Sequence, residues 1–423
     1  MTDSPRQGSL FIVFLTVFID LLGFGIVLPL LPIYATTFAT DSAGWTIALL
    51  MSSYSIMQFI FAPFWGRLSD RVGRRPILIV GLLGSVVFYG LFALATIQTS
   101  LLLLFVSRIG AGIAGATIST AHAYIADVTT LENRTKGMAL IGAAFGLGFT
   151  FGPLFGALAL LGPPGELSPL PGYAASGLSV IALLSAIFVL PESLTEKKVP
   201  QLRSWMLYRS SASALAIPSI GLLLLTSFVC VAAFGSFESV LSLLLKTEDG
   251  FALDLREVLF CFAYIGFMLA LIQGGIVRPL SKRMSETALA GSGVFIMMVG
   301  LLLLSLSQIQ GSFAILLIAL AVCVAGFAFI TPSLNALISR RSDPAQQGVV
   351  LGLAQSISSL ARIVGPLVGI PLFFGNVLWP MFAGIGMLAI GFLLLRIAAQ
   401  RGGDFSEGNN SMIEQAAAVS GKE

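Results

Sequence analysis

Charge is the scarcest feature of this 423-residue sequence. Asp, Glu, Lys and Arg make up only 10% of it, against roughly 25% in a soluble domain. A soluble globular fold is excluded, because a chain that is 57% hydrophobic is apolar on nearly every face and needs lipid as its solvent. The net charge of +3 and the lack of a gathered basic surface argue against a nucleic-acid partner. There is one histidine, His122, and no cluster of polar residues, which leaves little for general acid–base work and argues against an enzyme. The three cysteines, Cys230, Cys261 and Cys323, lie in apolar runs with no pairing or metal spacing. They read as small hydrophobes in helices, and neither a metal nor another cofactor is expected. No G-x-x-x-x-G-K-[ST] is present, so ATP does not power the chain. The first apolar run, Leu10 to Leu31, has no small-residue cleavage site and contains Asp20. It reads as a membrane span and not as a cleaved signal.

Long apolar runs are abundant. About 20 such residues cross a bilayer as a helix, and the runs predict twelve spans, at 10–32, 45–65, 76–96, 99–126, 137–161, 172–191, 214–245, 257–277, 287–307, 312–338, 347–372 and 375–397. They are expected to be helices because a lipid-facing backbone must satisfy its own hydrogen bonds. A barrel would need alternating segments of about ten residues. The connections alternate in charge. The N-terminal tail, the loops near 66–75, 127–136, 192–213, 278–286 and 339–346, and the C-terminal tail, together with Arg396 at the end of the last span, hold 19 of the 23 Lys and Arg residues, whereas the opposite set holds Lys246 and Arg256 among Glu248, Asp249, Asp254 and Glu257. Positive charge stays on the cytoplasmic side, so both termini are expected there, in a multi-pass protein of the plasma membrane.

The longest connection between spans, 192–213, divides the chain into a six-span bundle at 1–191 and another at 214–399, with a disordered cytoplasmic tail at 400–423. The halves echo each other: "GRLSDRVGRR" from Gly66 is answered by "GIVRPLSKR" from Gly275, and "GFTFGPLFG" at 148–156 by "LARIVGPLVG" at 360–369. An even number of helices per half makes this a parallel repeat, as expected of two transporter halves that rock about a cleft.

Twelve helices in a 6+6 repeat, with "GRLSDRVGRR" between helices 2 and 3, resemble the major facilitator superfamily. So does "GLGFTFGPLFGA" (146–157) in helix 5, which is similar to that family's antiporter motif, and "SRIGAGIAGA" (107–116) in helix 4. "DLLGFGIVLPLLP" (20–32) and "AYIADVT" (123–129) are similar to its tetracycline and multidrug efflux branch. The resemblance covers nearly the whole chain at the level of fold, and at the level of the branch rests mainly on the first half.

Charges inside spans cost enough that each suggests function. Asp20 is expected near mid-membrane as the group that binds and releases a coupling proton: burial and a nearby cation act on a carboxyl in opposite directions, so a conformational change that alters either alters its hold on a proton. A permanent structural pair with Arg108 is the alternative. Arg108, for which the resemblance implies a part in proton transfer, could equally be charge compensation. Glu238, the acid within a second-half span, could bind a cationic group or a second proton, or reach out to water. Arg362, in helix 11, could meet Glu238 or Asp20 across the cleft or contact an anionic group. His122 reads as a packing histidine more than as a proton relay.

"GAGIAG" (110–115) matches a dinucleotide fingerprint but lies inside an apolar helix without a preceding strand, so it is rejected as one; its glycines suit close helix approach. Gly148, Gly152, Pro153 and Gly156 in helix 5 fit the same use, and the resemblance implies a rocking interface there. Gly66 and Gly73 are expected to permit tight turning at the ends of helices 2 and 3. Asp70 is expected to pair with Arg71, Arg74 or a helix N-terminus, while Arg75 and its neighbours anchor the loop. The resemblance implies that this turn latches the cytoplasmic side against the other half. The expectation is an all-α membrane protein, a monomer that exchanges protons for a small amphipathic organic compound in the manner of an exporter. The alternatives are proton-linked transport of a specific metabolite, or a non-transporting receptor or scaffold.

Overall fold

A computed structural model describes residues 7–38, 41–129, 134–160, 167–194, 218–248, 250–342 and 347–402. Of the expected linker at 192–213 and tail at 400–423, residues 195–213 and 403–423 lie outside the described residues. Among those described, every regular element is a helix. We number the crossings α1 (Gln7–Val27, continuing as Leu30–Phe38), α2 (Trp45–Val72), α3 (Arg74–Ile97), α4 (Leu101–Val128), α5 (Arg134–Ala159), α6 (Leu170–Phe188), α7 (Pro218–Lys246), α8 (Leu255–Leu280), α9 (Glu286–Gln310), α10 (Phe313–Arg341), α11 (Gln347–Gly375) and α12 (Trp379–Arg401). Ten of these are long and apolar enough to span a membrane, and the two limbs of α1 form an eleventh span bent by 41°. α5 is a helix of 26 residues over the run expected at 137–161. Twelve crossings fit this arrangement.

The boundaries differ from the hydropathic ones where helix and lipid part company. α2 was expected to stop at 65 but runs to Val72, so Gly66 lies inside the helix. Gly73 alone makes the turn into α3, at φ 120°, which an L-residue rarely adopts. Hydropathy registers where lipid ends, whereas the helical hydrogen bonds carry on into water. The first span breaks at Leu28–Pro29, where proline lacks the N–H that a continuous helix needs. α8 passes through a π turn at Gln273–Val277. Side-chain oxygens start several helices: Ser100 for α4, Ser285 for α9, Ser312 for α10, and a reciprocal Asp254–Glu257 pair for α8.

The packing of the first half recurs in the second. α1 lies against α5 and α6, as α7 does against α11 and α12; α3 packs on α4 and α6, as α9 does on α10 and α12. Between the halves, α2 meets α11 and α5 meets α8. Several contacts draw the halves together away from the chain termini. Ser52 Oγ donates to the Ile363 carbonyl at 2.9 Å, Arg256 donates to the Leu160 carbonyl, and Gly44 sits against Phe374. Nearer the ends where α1 begins and α12 finishes, Gly66, Gly146, Gly274, Gly275 and Gly352 face open space. The described hydrogen bonds between the halves thus lie away from the end that carries the termini.

Candidate functional site

A cavity of about 140 Å³ lies between the halves, midway along the crossings. Its wall is aromatic: Phe24 and Phe149 from the first half, Phe234, Phe237, Phe262 and Phe327 from the second. Phe234 and Phe327 stack at 3.7 Å between ring centroids, 9° from parallel. Of the four charged residues singled out in the sequence, Arg108, Glu238 and Arg362 line this cavity. Asp20 does not.

Arg108 is 2% exposed. Its guanidinium lies over the Tyr54 ring at 4.7 Å and near the Phe24 ring at 5.8 Å, so ring quadrupoles partly replace water around the charge. Nε has no hydrogen-bond partner among the described residues. Asp20, one layer behind on α1, faces Ser85 of α3 and acts electrostatically on Tyr54 and Tyr89. Its Oδ1 is shielded and has no partner among the described residues. The structural Asp20–Arg108 ion pair is therefore not formed: the described ion pairs involve neither residue. His122 is half-buried on the last turns of α4, away from the cavity lining.

Tyr54, which covers Arg108 and lines the cavity, was missed in the sequence. A signal was available, because "SSYSIMQ" (52–58) is a polar interruption in an otherwise apolar helix.

The glycines of the antiporter-like motif do most of their work inside the first half. A Cβ at Gly148 would meet Leu21, and one at Gly152 would stand 2.7 Å from Gly25 Cα. Pro153 is buried beside them. Gly156 touches Ile26 and also Leu259 of α8. The closest approach of α5 to α8 is permitted by Gly266, whose Cβ would lie 2.5 Å from Thr150 Cα. That glycine had no motif to mark it.

At the turn between α2 and α3, Arg74 is the hub. It is 5% exposed, bridges Asp70 Oδ1 at 2.6 Å and Asp127 Oδ2 at 3.0 Å, and donates to Ser69 Oγ. The helix N-terminus expected as a partner for Asp70 is met instead by Glu192, which accepts from the Arg74 and Arg75 N–H groups at 2.8 and 3.2 Å. A carboxylate there answers the positive end of the helix dipole. Glu192 could not be paired with this turn by reading along the chain, since it is 118 residues away. Arg75 also donates to the Ile187 carbonyl, and Arg71 is exposed. Every described partner of Asp70, Arg74 and Arg75 belongs to the first half.

These features, two six-helix halves facing each other across an aromatic cavity that carries charge, are the arrangement of a membrane transporter. The sequence profile of the Major Facilitator Superfamily matches residues 13–366, and the chain belongs to that family. It is 32% identical over 389 residues to the tetracycline resistance protein, class E, of Escherichia coli, covering 90% of this chain and 92% of that one. It is 30% identical to multidrug resistance protein 2 of Bacillus subtilis, over 90% and 94% of the two chains. Among solved structures, the human organic anion transporter MFSD10 superposes with a TM-score of 0.68 at 28% identity, covering 93% of this chain and 100% of that one.

Proposed function

We propose that this protein is a proton-driven exporter of small amphipathic organic compounds, working as a monomer in the plasma membrane with both termini in the cytoplasm. The observation that carries the reading is the aromatic cavity between the halves, with Arg108 in its wall and, behind it, Asp20, whose Oδ1 has no partner among the described residues. The tetracycline and multidrug resistance relatives support export as the direction.

In this reading the substrate enters the cavity from the cytoplasm and lies among the phenylalanines. Asp20 carries the exchanged proton. Through Tyr54 and Arg108, its charge state is felt in the cavity wall, so proton release on one side and uptake on the other alternate with substrate release and loading. Closure of the end that carries the termini brings the Gly66–Arg75 turn towards the other half, as the latch expectation requires. In the described state the turn is held within its own half. The carboxylates of these ion pairs, Asp70 and Asp127, are partly exposed, so the pairs can exchange during each cycle.

The test is growth of an efflux-deficient bacterium expressing the protein, on tetracycline and on ethidium, with and without a protonophore. Protection that the protonophore abolishes is the expected result. Protection that survives the protonophore overturns proton drive, and no protection against any amphipathic compound overturns export.

A further inference from the structure

The two halves bring different chemistry to the cavity, and the difference falls at matched positions. Phe149 and Arg362 each stand three residues before the Gly-Pro pair of their helix, and both line the cavity. A guanidinium thus occupies a position where the same scaffold accommodates a phenyl ring in the other half. Arg362 is exposed to the cavity. Neither it nor Glu238 has a hydrogen bond or an ion pair among the described residues, although Arg362 is near enough to act electrostatically on Glu238. Arg108 differs: two aromatic rings cover its charge. The cation presented to a molecule in the cavity is therefore Arg362.

A guanidinium held in a membrane interior is expensive; Glu238 offsets this one only through space, and no hydrogen bond among the described residues satisfies its donors. Its planar fork matches a carboxylate or sulfonate in two parallel hydrogen bonds. The stacked Phe234–Phe327 pair on the same side of the cavity offers an aromatic face to the rest of such a molecule. Resting on the proposal that this cavity is the substrate site, we infer that Arg362 is its specificity anchor, selecting amphipathic aromatic compounds that carry an anionic group. Glu238, the facing carboxyl, works in the opposite sense and limits the affinity for that anion.

The experiment measures calorimetric binding of three probes of one shape to the purified full chain in lipid nanodiscs: 2-naphthoate, 2-naphthamide and 2-naphthylmethylammonium. Wild-type protein is expected to bind naphthoate on the order of tenfold more tightly than naphthamide, a difference of about 1.4 kcal/mol. Arg362→Gln should erase that difference by weakening naphthoate more than naphthamide, Arg362→Lys should retain part of it, and Glu238→Gln should tighten naphthoate. Preference for the ammonium probe, equal binding of all three, or no binding of any overturns the inference. The wild-type order decides this even where a variant fails to fold. No proton gradient is involved, so failure of proton drive sinks the function proposed above and leaves this preference standing, whereas charge-blind binding does the reverse.

Discussion

Gly152 of α5 lies against Gly25 of α1, and Gly365 of α11 lies against Gly235 of α7. Just before those contacts the halves diverge: Phe149 in one, Arg362 in the other. Their turns diverge as well. In the first half an arginine, Arg74, opens α3 and reaches Asp127 at the end of α4; in the second an acid, Glu286, opens α9 and meets Arg340 at the end of α10 at 2.7 Å. The second arrangement suits both helix dipoles. The first places a cation at a helix N-terminus and relies on Glu192 to answer the dipole. Positions where backbones cross tolerate only small residues in both halves, because packed helices have no room to give. Positions facing the cavity or water are free of that restriction, and there the halves have taken separate roles.

The comparison breaks most severely at the crossings. Gly152→Val and Gly365→Val should each abolish recovery of monodisperse protein, since a Cβ at either would stand 2.7 Å from the facing backbone and overpacking alone costs about 1–3 kcal/mol or more. Gly146→Val, with open space around it, should behave as wild type in the same size-exclusion assay. Loss in only one of the two buried variants would undo the equivalence of the halves.

The turns come next. Arg74→Ala removes a side chain that is 6% exposed and joins two carboxylates and a serine; it should cost about 1–3 kcal/mol, read as a fall in Tm. Arg340→Ala loosens a pair exposed at 51% and 24% and should cost about 0–1 kcal/mol. The reverse order would mean that the second turn holds its half together more than the first. Asp70→Ala should cost the least stability, under about 1 kcal/mol, yet slow substrate transport several-fold. An unchanged rate in folded, inserted protein would eliminate the latch.

Much of this architecture was legible in the residues. Apolar runs marked the crossings because lipid rewards them wherever they face, and the Gly-Pro echoes marked the repeat because helix crossings demand small residues. The seven residues of α2 beyond its apolar run were not legible, since nothing in hydropathy distinguishes a helix in water from a loop. Pro29 was visible in the sequence, yet whether it bends a span or ends one depends on packing. Charge in an apolar run singled out Arg108, Glu238 and Arg362, which line the cavity. It could not tell that Asp20 stands behind the cavity wall, because depth around a helix axis depends on how α1 is rotated against α3. Nor could it find Glu192 or Gly266, whose importance comes from partners distant in the chain.

In the proposed cycle Asp20 couples proton movement to a substrate held in the neighbouring cavity. Its most direct test is tetracycline flux in proteoliposomes after a sudden pH step, comparing wild type with Asp20→Asn and measuring tetracycline binding alongside. Wild-type flux should follow the imposed gradient, and the variant should lose at least about tenfold of that driven flux while still binding the compound. Gradient-driven flux at the wild-type rate in Asp20→Asn would contradict the account.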